Sequence, residues 1–255
     1  MGGRGASSGL TPMGSATMRL LNAVNANQAR NGTNWQHQGD YTSDNNPQLL
    51  KYQSQDDDKT ANFLASTERN VDLNDPQYAD GYAYHDLPLN KLLLRMGVNT
   101  GPAILSESDF NAYVKQSGQS VFYRGWSGQA AADRFINATH NHVGNGLAGD
   151  GYYFTPDLST AKSYGNGVIT KMALSPTARV IDWNTLKSKM SQMSSKLQSA
   201  FHYAGTSGSG RTYGSNIGES QAALKLGYNV IDMGGGYYVG VTADAFVVSR
   251  KYITY

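Results

Sequence analysis

Ser120–Trp126 reads SVFYRGW, Gly149–Thr155 reads GDGYYFT and Asp244–Ser249 reads DAFVVS, and these three stretches decide how the chain is read. Each is a short aromatic or β-branched run bounded by Gly, Ser or Asp, which is the composition of a strand with a turn at its entry. Working outward, Gly128–Ala138 (GQAAADRFINA) and the turn through Ser159–Tyr164 read as helices. VITKMAL (168–174) and ARVIDW (178–183) are β-rich runs separated by Ser175 and Pro176, and YNVIDM (228–233) and YYVGV (237–241) supply two more strands before AFVVSR (245–250). Ser106 offers an N-cap before Phe110, Tyr113 and Val114, and Gly118 closes that helix. Leu87–Gly97 (LPLNKLLLRMG) is strongly helical in its apolar spacing. Asn184 is placed to cap a long helix whose face carries Leu186, Met190, Met193 and Leu197, and a further helix covers Glu219–Leu226. Short strands interspersed with helices, without a repeated βαβ period or internal repeat, predict an α+β fold with a largely antiparallel sheet.

The chain has 255 residues, enough for one large domain with an appendage. Residues 1–77 read as a polar, partly disordered arm with one helix near Ser15–Ala26, where Met18, Leu21 and Val24 recur at helical spacing. Asn31 to Gln48 has almost no aliphatic residue, so the folded domain is expected over 78–255. Charged residues make up 16% and the formal net charge is +2, which leaves no bulk electrostatic footprint for nucleic acid. With 0 Cys there is no disulfide, thiolate nucleophile or Cys-ligated metal site. No apolar run reaches the ~18–20 residues of a membrane span and the N-terminus lacks a secretory apolar core, so a soluble protein is expected, cytoplasmic or particle-associated.

Three motifs are declined. Gly144–Gly149 (GNGLAG) matches a dinucleotide fingerprint in letters but follows a polar segment and precedes an aromatic strand, so it reads as a flexible turn. His140 and His142 have only Asp133 and Asp150 nearby and read as polar loop residues, not metal ligands. Met190 and Met193 read as core, and His37, His85 and His202 stand singly.

The chemistry sits in the three opening stretches. Arg124 is an arginine on a strand, suited to planar recognition of a phosphate, and Gly125 beside it permits close backbone approach. Tyr153, with Tyr164 one helical segment later, can bracket a flat heterocycle, while Phe154 reads as core. Between Ala200 and Tyr255 the carboxylates are Glu219, Asp232 and Asp244.

These residues resemble the ADP-ribosyltransferase superfamily over roughly Phe110–Tyr255. The middle segment is similar to the poly(ADP-ribose)-polymerase-like pattern G-x-G-x-Y-F followed by S-x-x-Y, and Arg124-Gly125 falls where that branch has His-Gly and the toxin-like branch has Arg. Ala161 stands where the pattern has Ser, Thr155 is the nearest stand-in for the toxin-type Ser-Thr-Ser, and Asp244 stands near the position of the late-strand Glu. The MGGRGASSG N-terminus resembles head-associated proteins of tailed bacteriophages.

The resemblance implies a split antiparallel sheet core with flanking helices, and NAD as a substrate without a metal. Arg124 would anchor the dinucleotide, Gly125 would hold the carboxamide, and Tyr153, Thr155 and Tyr164 would complete the nicotinamide site. Asp244, ahead of Glu219 on position, would be the catalytic carboxylate. The implied activity is transfer of ADP-ribose to a host protein, with Arg the favoured acceptor. The alternatives are a nucleic-acid acceptor, or an inactive phage particle protein that keeps the transferase shape; no membrane partner is implied.

Overall fold

The computed structural model describes residues 47–70, 88–96, 101–137, 144–146, 148–176, 178–204 and 218–255. The sequence-predicted helix at Ser15–Ala26, most of the Gly/Ser-rich loop before Glu219, and His37, His85, His140 and His142 lie outside them. In chain order the helices are α1 (Pro47–Tyr52), α2 (Asp57–Asn70), α3 (Pro88–Arg95), α4 (Glu107–Ser117), α5 (Gln129–Ile136), α6 (Leu158–Tyr164), α7 (Trp183–Ser191), α8 (Ser195–Ala204) and α9 (Glu219–Lys225). The strands are β1 (Ala103–Leu105), β2 (Phe122–Trp126), β3 (Gly144–Gly146), β4 (Gly149–Phe154), β5 (Val168–Leu174), β6 (Val180–Asp182), β7 (Val230–Gly234), β8 (Tyr237–Gly240), β9 (Phe246–Ser249) and β10 (Ile253–Thr254).

The class is α+β, and the described residues form two five-stranded mixed sheets. In the first, β5 is central: β2 lies along one side of it, while β9 and β10 follow one another along the other, and β1 adds parallel to β9. The second runs β3-β4-β8-β7-β6, antiparallel except for the parallel β6–β7 pair. An isolated antiparallel bridge between Tyr123 and Thr155 joins the sheets, with Tyr123 N–H donating to the Thr155 carbonyl at 2.7 Å and Thr155 N–H returning to Tyr123 at 3.1 Å.

Behind that bridge, aromatic rings from both sheets interlock. Phe122 meets Phe154 edge-on at 5.1 Å, Phe154 stacks on Tyr238 at 5.4 Å and meets Phe246 edge-on at 4.9 Å. Rings at such spacings add about 0.5–1.5 kcal/mol per pair beyond area burial. Glycines make room for them: a Cβ on Gly240 would lie 2.1 Å from the Phe246 ring, and one on Gly151 would lie 2.3 Å from Val239 Cγ1.

Local signals placed most elements. Ser106 accepts from Asp109 N–H to cap α4, and Gly118 (φ 67°) closes it in the left-handed conformation with its N–H on the Val114 carbonyl. The long helix expected after Asn184 is two: Asp182 is the cap of α7, accepting from Thr185 N–H, and the chain breaks at residues 192–194 before α8. Leu186 and Leu197 are nonetheless both buried, from separate helices. The Gly144–Gly149 turn is instead the end of a β3–β4 hairpin in which Gly144 faces Gly151 and Gly146 faces Gly149.

The boundary at 77/78 is corrected. In α1 and α2, Leu49, Tyr52, Ala61, Phe63 and Leu64 are buried in the same core as the strands. Thr60 and Thr67 complete the inward stripe of α2 with their hydroxyls bonded to the Tyr52 and Phe63 carbonyls. Tyr52 Oη donates to the Gln221 carbonyl at 2.6 Å, Gln53 Nε2 to the Leu224 carbonyl at 2.8 Å, and the buried Lys225 ammonium reaches the Ser54 carbonyl and Asp57. These helices are part of the body that holds α9. Burying a large apolar side chain contributes ~1.5–3 kcal/mol, so four of them rival the ~5–15 kcal/mol stability of a whole domain. A chain lacking residues 1–75 is therefore expected to show no cooperative thermal transition by circular dichroism, and a transition within a few degrees of the parent's would contradict this.

Candidate functional site

The edge strand β2 alternates its side chains, so Phe122, Arg124 and Trp126 share one face while Tyr123 and Gly125 share the other. On the first face the Arg124 guanidinium lies 4.5 Å from the Trp126 ring centroid and 5.8 Å from that of Tyr152, a cation–π arrangement that keeps it flat. Its Nη1 donates to the Tyr153 carbonyl at 2.8 Å, across the gap between the sheets. Trp126 is fixed in turn by Nε1 donating to Thr170 Oγ1 at 3.0 Å.

Tyr153 is the hub. Its hydroxyl donates to the Gly149 carbonyl at 2.7 Å and accepts from Ala148 N–H at 2.9 Å. The Ala148 carbonyl accepts from Ser220 Oγ at 3.2 Å, which ties the first turn of α9, and so Glu219, to the hub. Burial first of all pushes the Tyr153 phenol well above its usual range, and the charges of Asp150, Arg124 and Glu219 all act on it. Arg124, Tyr153 and Glu219 are thus linked through Ala148 and Ser220.

Glu219 is 1% exposed. Oε1 accepts from Lys187 Nζ of α7 at 2.7 Å, while Oε2 is buried without a hydrogen-bond partner. Burial raises the Glu219 carboxyl above its ordinary range, and Lys187 opposes that rise. In the sequence Glu219 opens a helix, where an acid is favoured by the helix dipole whether or not it does chemistry. Its burial comes from α7, α8 and β4 packing on α9, which are distant in sequence.

The other expected residues fall elsewhere. The side of Gly125 where a Cβ would project is already occupied: that atom would lie 2.2 Å from the Ala161 carbonyl oxygen and 2.7 Å from Gly165 N. The glycine's proximate role is therefore to let α6 lie directly on β2. Tyr164 ends α6 with 72% of its surface exposed. Tyr153 and Tyr164 thus differ in kind, one anchored by its hydroxyl and the other presenting an open ring. Thr155 forms the inter-sheet bridge through its backbone, and its Oγ1 accepts from Asp157 N–H. Asp244 sits at the entry to β9, as the sequence suggests, but is buried in a 3-10 turn (Ala243–Ala245). There its Oδ1 accepts from Thr242 Oγ1 at 2.6 Å and its carbonyl from Ser175 Oγ at 2.7 Å. These contacts fix the turn that launches the strand.

Sequence reasoning did not single out Lys187, Ser220 or Trp126. For Lys187 a signal existed: it follows Trp183 by four residues, and its ammonium lies 5.5 Å from that ring. Asp133 accepts from the Tyr252 hydroxyl and Asp150 from Leu89 N–H. Among the described residues no group of three or more His, Cys, Asp or Glu is placed to hold a metal ion, and no helix is long and apolar enough to cross a membrane.

Because the folded state raises the Glu219 carboxyl, it binds that proton more tightly than the unfolded chain does. The stability this contributes is full below the ordinary carboxylate range and is lost as pH rises through the raised value. Glu219→Gln, which keeps shape and removes the charge, is expected to melt no lower than the parent at pH 7 and to flatten the parent's fall in stability between acid and neutral pH. A lower melting temperature for the variant would show that the Lys187 pair outweighs the desolvation.

Comparison of the chain with protein-family models, with curated proteins and with solved structures gave no match.

Proposed function

We propose that this protein transfers ADP-ribose from NAD to a host protein, with nicotinamide as leaving group, on a sheet pair resembling the split core of the ADP-ribosyltransferases. The observation that carries the reading is the hydrogen-bonded path from Arg124 through Tyr153, Ala148 and Ser220 to the start of α9, where Glu219 is buried. It unites a guanidinium suited to a pyrophosphate with a carboxylate whose Oε2 has no partner. The exposed Tyr164 ring ends the helix that rests against Gly125, on the face of β2 opposite Arg124, and is an open aromatic surface available to a flat ring.

In the reaction the bond between the ribose C1′ and the nicotinamide nitrogen breaks, and its electron pair leaves with nicotinamide. Arg124 holds the phosphate end of the dinucleotide. Glu219 stabilises the positive charge that grows on the ribose. A nitrogen of the acceptor guanidine then bonds to C1′ and releases one proton to Glu219 or to solvent. Between the two carboxylates the proposal favours Glu219 over Asp244, since the Asp244 oxygen is engaged by Thr242 and Glu219 acts electrostatically on the Tyr153 hub.

A second reading, a transferase-shaped phage particle protein without activity, draws on one observation. The spaces at Gly125 and Gly151 are taken by the chain itself, so these glycines have a packing reason independent of any ligand.

One experiment separates these readings. NAD labelled in the adenylate portion is incubated with the protein and a host lysate, in parallel with the Arg124→Lys and Glu219→Gln variants. The account expects label on protein, reduced at least ~10-fold by Arg124→Lys because an ammonium cannot make a planar two-point contact, and abolished by Glu219→Gln. Label on nucleic acid or free ADP-ribose alone would move the acceptor, and no release of nicotinamide would leave the inactive particle protein.

A further inference from the structure

The Glu219 carboxylate is nearly sealed from water, and its two oxygens are treated differently. Oε1 takes the Lys187 ammonium at 2.7 Å, and Oε2 takes nothing from the chain. The backbone beneath is immobilised from two sides. Ser220 Oγ is bonded to the Ala148 carbonyl, and the carbonyls of Gln221 and Leu224 receive Tyr52 Oη and Gln53 Nε2. The carboxylate therefore cannot turn by moving its helix. What remains adjustable is the side chain, and Lys187 fixes it.

Lys187 is suited to this by its place. It lies on α7, whose first turn is capped by Asp182, and its side chain is 41% exposed, so its ammonium keeps part of its hydration while touching a buried acid. The Trp183 ring one turn earlier lies 5.5 Å from that ammonium and limits its excursions. Among the described side chains, the titratable ones on the elements packed against α9 are Lys187 and Lys189 on α7, Asp150, Tyr152 and Tyr153 on β4, Lys196 on α8 and Asp232 on β7, with Lys225 on α9 itself; α8 also carries His202 and Tyr203, whose side chains lie outside the described ones. Several have partners elsewhere. Asp150 accepts from Leu89 N–H, Lys196 lies 3.8 Å from Asp58, Asp232 accepts from Gly234 N–H and Lys225 lies 3.2 Å from Asp57. Tyr153 is bonded to Ala148 and Gly149. Lys187 is the group among them that reaches the Glu219 carboxylate.

We propose that Lys187 is the positioning residue of the site: it pins Oε1 of Glu219 and supplies its counter-charge, so that the carboxylate stays ionised and its uncompensated Oε2 acts through space on the positive charge growing on the ribose. The role rests on the transferase reading above. Lys187 touches neither substrate nor acceptor and acts through Glu219. Without it, a carboxylate in this environment takes up a proton at higher pH and loses the negative charge on which the developing cation depends.

The test compares the parent with Lys187→Met and Lys187→Arg, using Glu219→Gln to assign the Glu219 carboxyl signal in a 13C NMR titration. In Lys187→Met the Glu219 carboxyl is expected to titrate at higher pH than in the parent, and the acid limb of the pH profile of kcat is expected to move with it. At neutral pH kcat falls ~10-fold or more while the KM for NAD changes less than about two-fold, the signature of an interaction made in the transition state. Lys187→Arg restores the charge and most of kcat. A Lys187→Met variant whose carboxyl titration is unmoved overturns the proposal, as does one with unchanged kcat in an active parent. If the parent releases no nicotinamide at all, the transferase reading fails, and the role assigned to Lys187 in the reaction falls with it. The titration then still decides whether Lys187 controls the charge of Glu219.

Discussion

Two backbone hydrogen bonds between Tyr123 and Thr155 hold the edge of one sheet against the edge of the other, and the candidate site is arranged around them. Each contributes only ~0.5–1.5 kcal/mol net, far less than the aromatic core behind them. Their importance is register. Side chains on a strand alternate between faces, so a slip of one residue would send Arg124 to the face now held by Gly125 and press a large side chain against α6. With the register in place, Arg124 reaches the Tyr153 carbonyl, Gly125 admits α6, and Phe122 and Phe154 meet edge-on.

The second dependence runs through α9. This short helix carries Glu219, and all seven of its residues are buried. Its carbonyls at Gln221 and Leu224 are held by Tyr52 and Gln53, residues more than 160 positions earlier in the chain. A segment rich in Asp, Asn and Ser thereby sets the placement of a buried carboxylate. The cost of burying Glu219 is met only in part, by Lys187 on one oxygen. A structure that keeps an imperfectly compensated buried charge, linked to the Arg124 guanidinium through Ser220, Ala148 and Tyr153, resembles a site prepared for a positive charge that arises only during reaction, and this is the physical basis of the proposed transferase activity.

Much of the fold was legible where side chains carry a local signal. Ser106 and Gly118 mark both ends of α4, and the β-branched runs of β5, β7 and β9 announce strands. The parts that were not legible depend on partners distant in sequence. Among the described side chains of α2, two of the five buried ones are threonines, so its burial does not read as apolar periodicity, and residues 47–70 pass for a polar arm. Gly144–Gly146 has almost no side-chain pattern to reveal a strand. Asp182 and Asn184 are both capping residue types, and only the Thr185 N–H bond decides between them. At the site, the types of Arg124, Tyr153, Tyr164 and Glu219 were readable, whereas the burial of Glu219, its pairing with Lys187 and the enclosure of Asp244 by Thr242 and Ser175 follow from packing.

The central claim is that the seam between the sheets is a dinucleotide site, and the most direct measurement is backbone amide NMR of the intact protein during titration with NAD. The account predicts saturable shifts concentrated in β2 around Arg124, in β4 around Tyr153, at the end of α6 around Tyr164 and at the start of α9 around Glu219, with ADP-ribose shifting the Arg124 region and sparing Tyr164. Shifts that never saturate, or that cluster away from these four segments, would contradict it.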